Sequence, residues 1–141
     1  MIQGVVITML TVEALSDIRT KTISVVRQIC FLILAAVFNI LFYYQSAASM
    51  VGGMGIGALL FLYAFFTKEG IGYGDCLVFM CVGAYVGLLD NMRLLFFSLI
   101  VAAFAGIVYS LIKKKNFKEK IPFLPCVLVA YLAMSIAEVC L

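Results

Sequence analysis

The sequence contains no histidine, and none of its five cysteines belongs to a C-x-x-C pair. Zinc sites and dithiol redox centres need such residues at close spacing. These absences argue against metal-assisted hydrolysis and thiol redox chemistry, so we expect neither a metal nor another cofactor. Most of the cysteines lie in apolar runs, where we expect them to pack as small buried hydrophobic side chains.

Charged residues are also scarce. They make up only 12% of the 141 residues, whereas 66% are hydrophobic and the mean hydropathy is +1.21. Soluble domains typically carry about 25% charged residues, which excludes that class. A membrane-spanning helix needs roughly 20 apolar residues, so the length allows about six. We predict an all-α integral membrane protein with a single transmembrane domain over residues 1–141.

Apolar runs separated by polar breaks locate the helices. They predict six, near Ile2–Ile18, Val25–Tyr44, Ala47–Thr67, Asp75–Leu89, Met92–Ile112 and Phe123–Cys140. The third run contains four closely spaced glycines, Gly52, Gly53, Gly55 and Gly57. Because small residues at this spacing let two helices approach closely, we expect this helix to pack tightly against another.

The distribution of basic residues predicts the orientation. Most of them follow the first, third and fifth predicted helices, as Arg19, Lys21, Arg27, Lys68 and five lysines between residues 113 and 120. Arg93 lies on the other side. By the positive-inside rule the three basic loops are cytoplasmic, which places both termini outside. We assign the lysine cluster to topology and to anionic lipid headgroups rather than to nucleic-acid binding.

The segment GIGYGD, from Gly70 to Asp75, interrupts the apolar runs. It is compatible with the carbonyl-lined filter of a potassium channel or with a glycine-hinged loop that delivers an aspartate for catalysis. A filter needs threonine oxygens and a preceding pore helix on the outer side of the membrane. Here Lys68 and Glu69 precede the glycines, no threonine adjoins them, and the loop is predicted to be cytoplasmic. These features disfavour the channel.

Two aspartates are predicted at similar depth near the cytoplasmic boundary. Asp17 follows a helix of only about 22 Å, against a hydrocarbon core of about 30 Å, and Asp75 opens the fourth helix. Ionisable residues at such depth usually face a protein interior and have a function. Each also has a structural explanation that stays open. Asp75 can serve as a helix N-cap. Asp17 can pair at the surface with Arg19 or Lys21.

Three segments together resemble the bacterial type IV prepilin peptidases, which are GxGD-type intramembrane aspartyl proteases. SDIRTKTIS, around Asp17, is similar to the family's first motif, and GIGYGDCLVFMCVGAYVG, which contains Asp75, is similar to its second. KIPFLPCVLVAY resembles the proline-containing entry to the last helix. The segments occur in the family's order, and the stretch from the first to the third spans most of the chain. Departures at Ser24–Val25, Cys76 and Leu124 concern substrate preference more than chemistry, because both aspartates are kept.

The resemblance implies that Asp17 and Asp75 are the catalytic carboxylates of an aspartyl endopeptidase. Two such groups share a proton, so that one activates a water while the other assists the scissile carbonyl. The resemblance also implies that Gly70, Gly72 and Gly74 form a pliable active-site loop. An ordinary tight turn is compatible with the same glycines.

Four further residues are candidates for supporting roles, Glu13, Arg19, Pro122 and Pro125. Glu13 lies one turn before Asp17 on the same helical face. A carboxyl group there either raises the proton affinity of the pair by like-charge repulsion or bonds a neighbouring helix as a neutral acid, and we prefer the structural role. Arg19 and the Pro122–Pro125 segment are candidates for framing the cleft.

The implied substrate is a prepilin or pseudopilin, whose basic leader is cut at the cytoplasmic face just before an apolar helix. The implied location is the bacterial cytoplasmic membrane, which the protein crosses several times. Larger members also methylate the product with S-adenosylmethionine and carry an extra N-terminal region with C-x-x-C motifs. This sequence starts directly with its first helix and has no C-x-x-C motif. We therefore expect cleavage without methylation, with the methyltransferase part absent or supplied elsewhere. The rival interpretation is a small transporter or channel component in which Glu13, Asp17 and Asp75 line an ion path.

Overall fold

The computed structural model of the chain describes residues 2–20, 24–43, 45–67, 73–113 and 123–140. These residues form six helices in chain order, α1 (Ile2–Thr20), α2 (Val25–Phe42), α3 (Ala47–Phe66), α4 (Tyr73–Val86), α5 (Leu88–Lys113) and α6 (Leu124–Cys140). The all-α class and the six predicted helices are confirmed within these ranges. α1 ends at Thr20, two residues beyond its predicted end, and Asp17 lies in its last turn.

Three of the helices, α2, α3 and α5, are long and apolar enough to cross a membrane. α4 and α6 are apolar but contain only 14 and 17 residues, which correspond to about 21 and 26 Å of rise. Large apolar side chains point outward along the chain, including Ile40, Phe104 and Val139 at 71%, 67% and 81% exposure. Such a surface is typical of a protein solvated by lipid. The number of crossings and the side of each terminus stay predictions.

The chain divides into two compact units. The first unit comprises Gln3–Lys21 and Leu94–Leu141, and the second unit comprises Thr22–Arg93. The first unit therefore contains α1 with Asp17, and the second unit contains α2, α3 and α4 with Asp75. Each unit is described separately below.

Serine caps begin two helices of the second unit. The Ser24 hydroxyl oxygen accepts a hydrogen bond from the Arg27 amide at 3.5 Å, and Ser46 accepts one from the Ser49 amide at 3.3 Å. Each bond satisfies one of the amides that the first turn of a helix leaves without a partner. Tyr43 caps the end of α2: its amide donates to the Asn39 main-chain oxygen at 2.9 Å, and its left-handed conformation (φ 46°) turns the chain out of the helix.

α3 and α4 cross in close contact at glycines. A Cβ atom added at Gly53 would overlap the backbone of Gly83, and one added at Gly57 would lie 2.5 Å from the Met80 amide nitrogen. The tight packing predicted from the glycines of the third helix is confirmed at these two positions. Since residue numbers rise along α3 as they fall along α4, the two helices are antiparallel.

Asn91 links this crossing to the first turn of α5. Its side chain is fully buried, and its amide nitrogen donates to the main-chain oxygens of Gly53 at 2.9 Å and Phe79 at 3.1 Å. Helices in a membrane associate through close packing and hydrogen bonds of this kind rather than through hydrophobic burial. Asn91 therefore ties together three successive helices of the second unit.

The boundary between α4 and α5 differs from the prediction. We expected the fourth helix to reach Leu89, but α4 ends at Val86 and α5 begins at Leu88. Gly87, between them, has a φ of +88°, which a residue without a side chain adopts readily. Asp90 consequently lies in the first turn of α5, where it forms a 3.4 Å ion pair with Arg93.

α4 is the central helix of the second unit. It packs against α3 and α2, and eight of its residues are buried, Cys76, Val78, Phe79, Cys81, Val82, Gly83, Ala84 and Tyr85. The Tyr85 hydroxyl donates to the main-chain oxygen of Phe31 on α2 at 2.7 Å. The cysteine prediction is confirmed for Cys76, Cys81 and Cys126, which are buried, but Cys30 and Cys140 are exposed.

Candidate active site

Asp17 continues the buried face of α1. This face is formed by residues three or four apart, Val6, Met9, Leu10, Glu13 and Ala14, all of which are buried. Asp17 follows Glu13 by one turn and is itself half-buried. By contrast, Leu15 and Ile18 are 52% and 57% exposed. α1 thus turns both carboxylates toward its inward face, whereas Leu15 and Ile18 point outward, and inward ionisable side chains are expected of a functional helix in a membrane.

Glu13 is fully buried in the first unit, at 0% exposure. A buried carboxyl group is stable only if it is hydrogen-bonded or protonated. Glu13 therefore belongs to the inward-facing residues of α1, and the two roles considered for it stay predictions. Arg19 lies two residues beyond Asp17 and is exposed. As the basic residue of the last turn of α1, it interacts favourably with the carboxyl end of the helix.

Asp75 lies in the first turn of α4 and is half-buried. Because α4 begins at Tyr73, Asp75 is the third residue of the helix rather than its N-cap. An acidic side chain in the first turn still interacts favourably with the amino end of the helix dipole. Gly74 also belongs to this turn rather than to a loop, whereas Gly70 and Gly72 lie outside the described residues.

The start of α4 is held by aromatic and buried side chains. The ring of Tyr73 lies 5.2 Å, centroid to centroid, from the ring of Phe61 on α3. Cys76, directly after Asp75, is fully buried, as is Val78. Asp75 therefore projects from a helix whose first turns are packed against the rest of the second unit.

The two proline candidates have different outcomes. Pro125 is the second residue of α6 and is half-buried between the buried residues Leu124 and Cys126. Proline is tolerated there because the first turn of a helix has no internal partner for its amide. Pro122 lies outside the described residues. At the other end of α6, Glu138 accepts a 3.1 Å hydrogen bond from Gln3 at the start of α1.

Two buried amide side chains were not anticipated from the sequence. Asn91 has the structural role described above. Gln28, on α2, is only 2% exposed, and neither its amide oxygen nor its amide nitrogen has a hydrogen-bond partner within the described part of the chain. Both residues interrupt apolar runs, and this is the signal by which polar residues of functional or structural importance can be found in a membrane helix.

The described residues contain no group of three or more histidine, cysteine, aspartate or glutamate side chains that could hold a metal ion. A family model for the type IV leader peptidase family matches residues 4–111. The matched segment includes Asp17 and Asp75 but ends before Pro122 and Pro125. Comparisons with curated proteins and with solved structures gave no significant match.

Proposed function

The chain belongs to the type IV leader peptidase family, whose model matches residues 4–111 of 141, and we propose that it is an intramembrane aspartyl endopeptidase. One observation carries this proposal: the matched segment contains both aspartates singled out by their motifs. Their half-buried positions, on the inward face of α1 and in the first turn of α4, support it further.

The proposed reaction is hydrolysis of a peptide bond by Asp17 and Asp75 with one bound water. One carboxylate takes a proton from the water, whose oxygen attacks the scissile carbonyl carbon. The other, protonated, aspartate gives its proton to the carbonyl oxygen. As the tetrahedral intermediate breaks down, the first aspartate passes the proton it took from water to the leaving nitrogen, and the second takes back a hydroxyl proton, so that a carboxylic acid and an amine are released and the pair is restored. No bond forms between enzyme and substrate. The mechanism requires the two carboxyl groups to reach the same water, so their titration belongs to the pair.

The proposed substrates are prepilin-type precursors, in keeping with the leader peptidase family. Their basic leader precedes an apolar helix, which has to stay in lipid while the bond before it is cut. The outward apolar faces of α2, α3 and α5 provide a surface beside which such a helix can lie. We propose that the cut is made at the cytoplasmic face of a bacterial membrane, because the basic loops predict that side for both aspartates.

The test is cleavage of a purified prepilin-type precursor by the purified protein in detergent. Asp17→Asn and Asp75→Asn should each lower the rate by about 10²–10⁴-fold or more, because each removes one partner of the acid–base pair. Asp90→Asn is the matched control, since Asp90 forms a surface ion pair with Arg93 and lies outside the proposed site. Normal cutting by either of the first two variants would exclude that residue from catalysis.

The same preparation separates the remaining alternatives. Mass spectrometry of the product tests the expectation that the protein cleaves without methylating. The transporter interpretation predicts ion flux in proteoliposomes that depends on Glu13, Asp17 and Asp75 and no cleavage of the precursor. Its only specific support is the buried Glu13, whereas the family match favours the peptidase.

A further inference from the structure

Gln28 has a buried side-chain amide whose hydrogen-bonding groups are unused. The residue is 2% exposed, and both polar atoms of its side chain lack a partner within the described residues. Leaving a buried donor and a buried acceptor unsatisfied lowers stability. Groups of this kind therefore call for a specific explanation, such as a ligand that binds only during function.

Other amides of the second unit are used differently. The side-chain nitrogen of Asn39 bonds the Met50 sulfur at 3.1 Å, and that of Gln45 donates to the Ala84 main-chain oxygen at 2.6 Å. Asn91 donates to two main-chain oxygens, although its own amide oxygen has no partner within the described residues. These three amides connect helices and turns of the unit, and Gln28 differs from them because its amide joins nothing in the described chain.

Gln28 lies toward the end of the second unit at which Asp75 is presented. The Cys81 thiol donates to the Gln28 main-chain oxygen at 3.3 Å, and Tyr85 donates to that of Phe31. Residue numbers rise together along the two helices, from the Gln28–Cys81 contact to the Phe31–Tyr85 contact. α2 and α4 are therefore parallel, and their N-termini lie at the same end of the second unit. Asp75 precedes Cys81 by about 9 Å of helical rise. Helical side chains lean toward the N-terminus of their helix. The Gln28 side chain therefore leans toward the end of the second unit at which Asp75 lies.

A substrate cut at the boundary of a membrane creates a need for this chemistry. The peptide around the scissile bond has to be extended to be cut, and its N–H and C=O groups then need partners from the protein when they leave water for the active site. A primary amide offers a donor and an acceptor together, the complement of a peptide group. We propose that Gln28 binds the main chain of the leader segment next to the scissile bond and positions it for hydrolysis. This inference rests on the proposed peptidase function.

The test compares Gln28→Met with Gln45→Met. Methionine keeps the length of glutamine and removes the amide. For Gln28→Met we expect unchanged or higher stability, because two unsatisfied groups are lost. We also expect kcat/KM for a prepilin-type precursor to fall about tenfold, mainly through KM, as one or two hydrogen bonds to substrate disappear. For Gln45→Met we expect lower stability, through loss of the bond to Ala84, and normal kcat/KM while the protein is folded.

An amide that binds substrate lowers kcat/KM but not stability when it is removed. A structural amide lowers stability but not kcat/KM. If Gln28→Met is less stable than the wild type, its amide is satisfied within the protein or by a permanent water, and the inference is overturned. It is equally overturned if kcat/KM stays within twofold of the wild type.

A binding measurement separates failure of this inference from failure of the proposed function. A fluorescent peptide containing the leader and the first apolar residues of a prepilin is titrated into Asp75→Asn protein, with and without Gln28→Met. Binding about tenfold weaker in the double variant supports the role of Gln28 even if the wild type cleaves nothing. Equal binding, or no binding, to the two proteins overturns it. Absence of cleavage by the wild type counts against the proposed function alone.

Discussion

Replacing Gly83 by alanine tests the close crossing of α3 and α4. The new Cβ atom would overlap the Gly53 carbonyl group on α3 and would lie 2.6 Å from the side-chain nitrogen of Asn91. A Cβ atom does not approach non-bonded nitrogen or oxygen atoms so closely, so the two helices have to separate. The new Cβ atom also displaces the side-chain nitrogen of Asn91, which donates to the main-chain oxygens of Gly53 at 2.9 Å and Phe79 at 3.1 Å.

The magnitude follows from three contributions. Overpacking of a well-packed interior typically costs about 1–3 kcal/mol. Hydrogen bonds between membrane helices contribute about 0.6 kcal/mol each, so loss of the two bonds of Asn91 adds about 1 kcal/mol. Alanine is favoured over glycine in a helix interior by about 1 kcal/mol, which offsets that loss. The free energy of unfolding of Gly83→Ala should therefore be about 1–3 kcal/mol lower than that of the wild type.

The assay is equilibrium unfolding of the purified protein in mixed detergent micelles, followed by circular dichroism. Gly55→Ala is the matched control, because Gly55 also lies inside a helix, α3, but has no atom within 4 Å of an added Cβ. It should be neutral or more stable by up to about 1 kcal/mol, through helix propensity alone. Equal stability of Gly83→Ala and the wild type, or equal destabilisation by both substitutions, would refute the close crossing.

Two further predictions concern the packing of α4 and use the same unfolding assay. Tyr85→Phe removes the 2.7 Å hydrogen bond to the Phe31 main chain, so the free energy of unfolding should fall by about 0.5–1.5 kcal/mol; a more stable variant would contradict this. Gly87→Ala places a side chain on a residue with φ +88° and 2.5 Å from the Ser49 hydroxyl oxygen, so it should cost at least about 1–2 kcal/mol. A Gly87→Ala protein as stable as Gly55→Ala would show that the left-handed turn is not required.

The family and the helical class could be predicted from the sequence because both depend on local patterns. Long apolar runs form helices in lipid, where every main-chain polar group needs an internal partner. The motifs around Asp17 and Asp75 are likewise contiguous, and the match over residues 4–111 bears out the family that they indicated. The glycines of α3 predicted a close helix contact for the same local reason, although not which helix would be the partner.

The boundary between α4 and α5 shows where local patterns fail. The polar pair Asp90–Asn91 resembled a loop between two apolar runs, but it lies within the first turn of α5. Asn91 is tolerated at 0% exposure because main-chain oxygens of Gly53 and Phe79, distant along the chain, accept its hydrogen bonds. No pattern in neighbouring residues contains that information.

Gln28 illustrates the same division. By sequence it is a polar residue between Arg27 and an apolar run, and such a residue can face a loop, a partner helix or lipid headgroups. Only the packing of α2 beside α4 decided that its amide is enclosed without a partner in the described chain. The sequence alone determined the membrane class, the helices and the aspartate motifs, because solvation by lipid and helix formation act on consecutive residues. Tertiary structure decided which polar groups are satisfied, because hydrogen-bond partners come from distant parts of the chain.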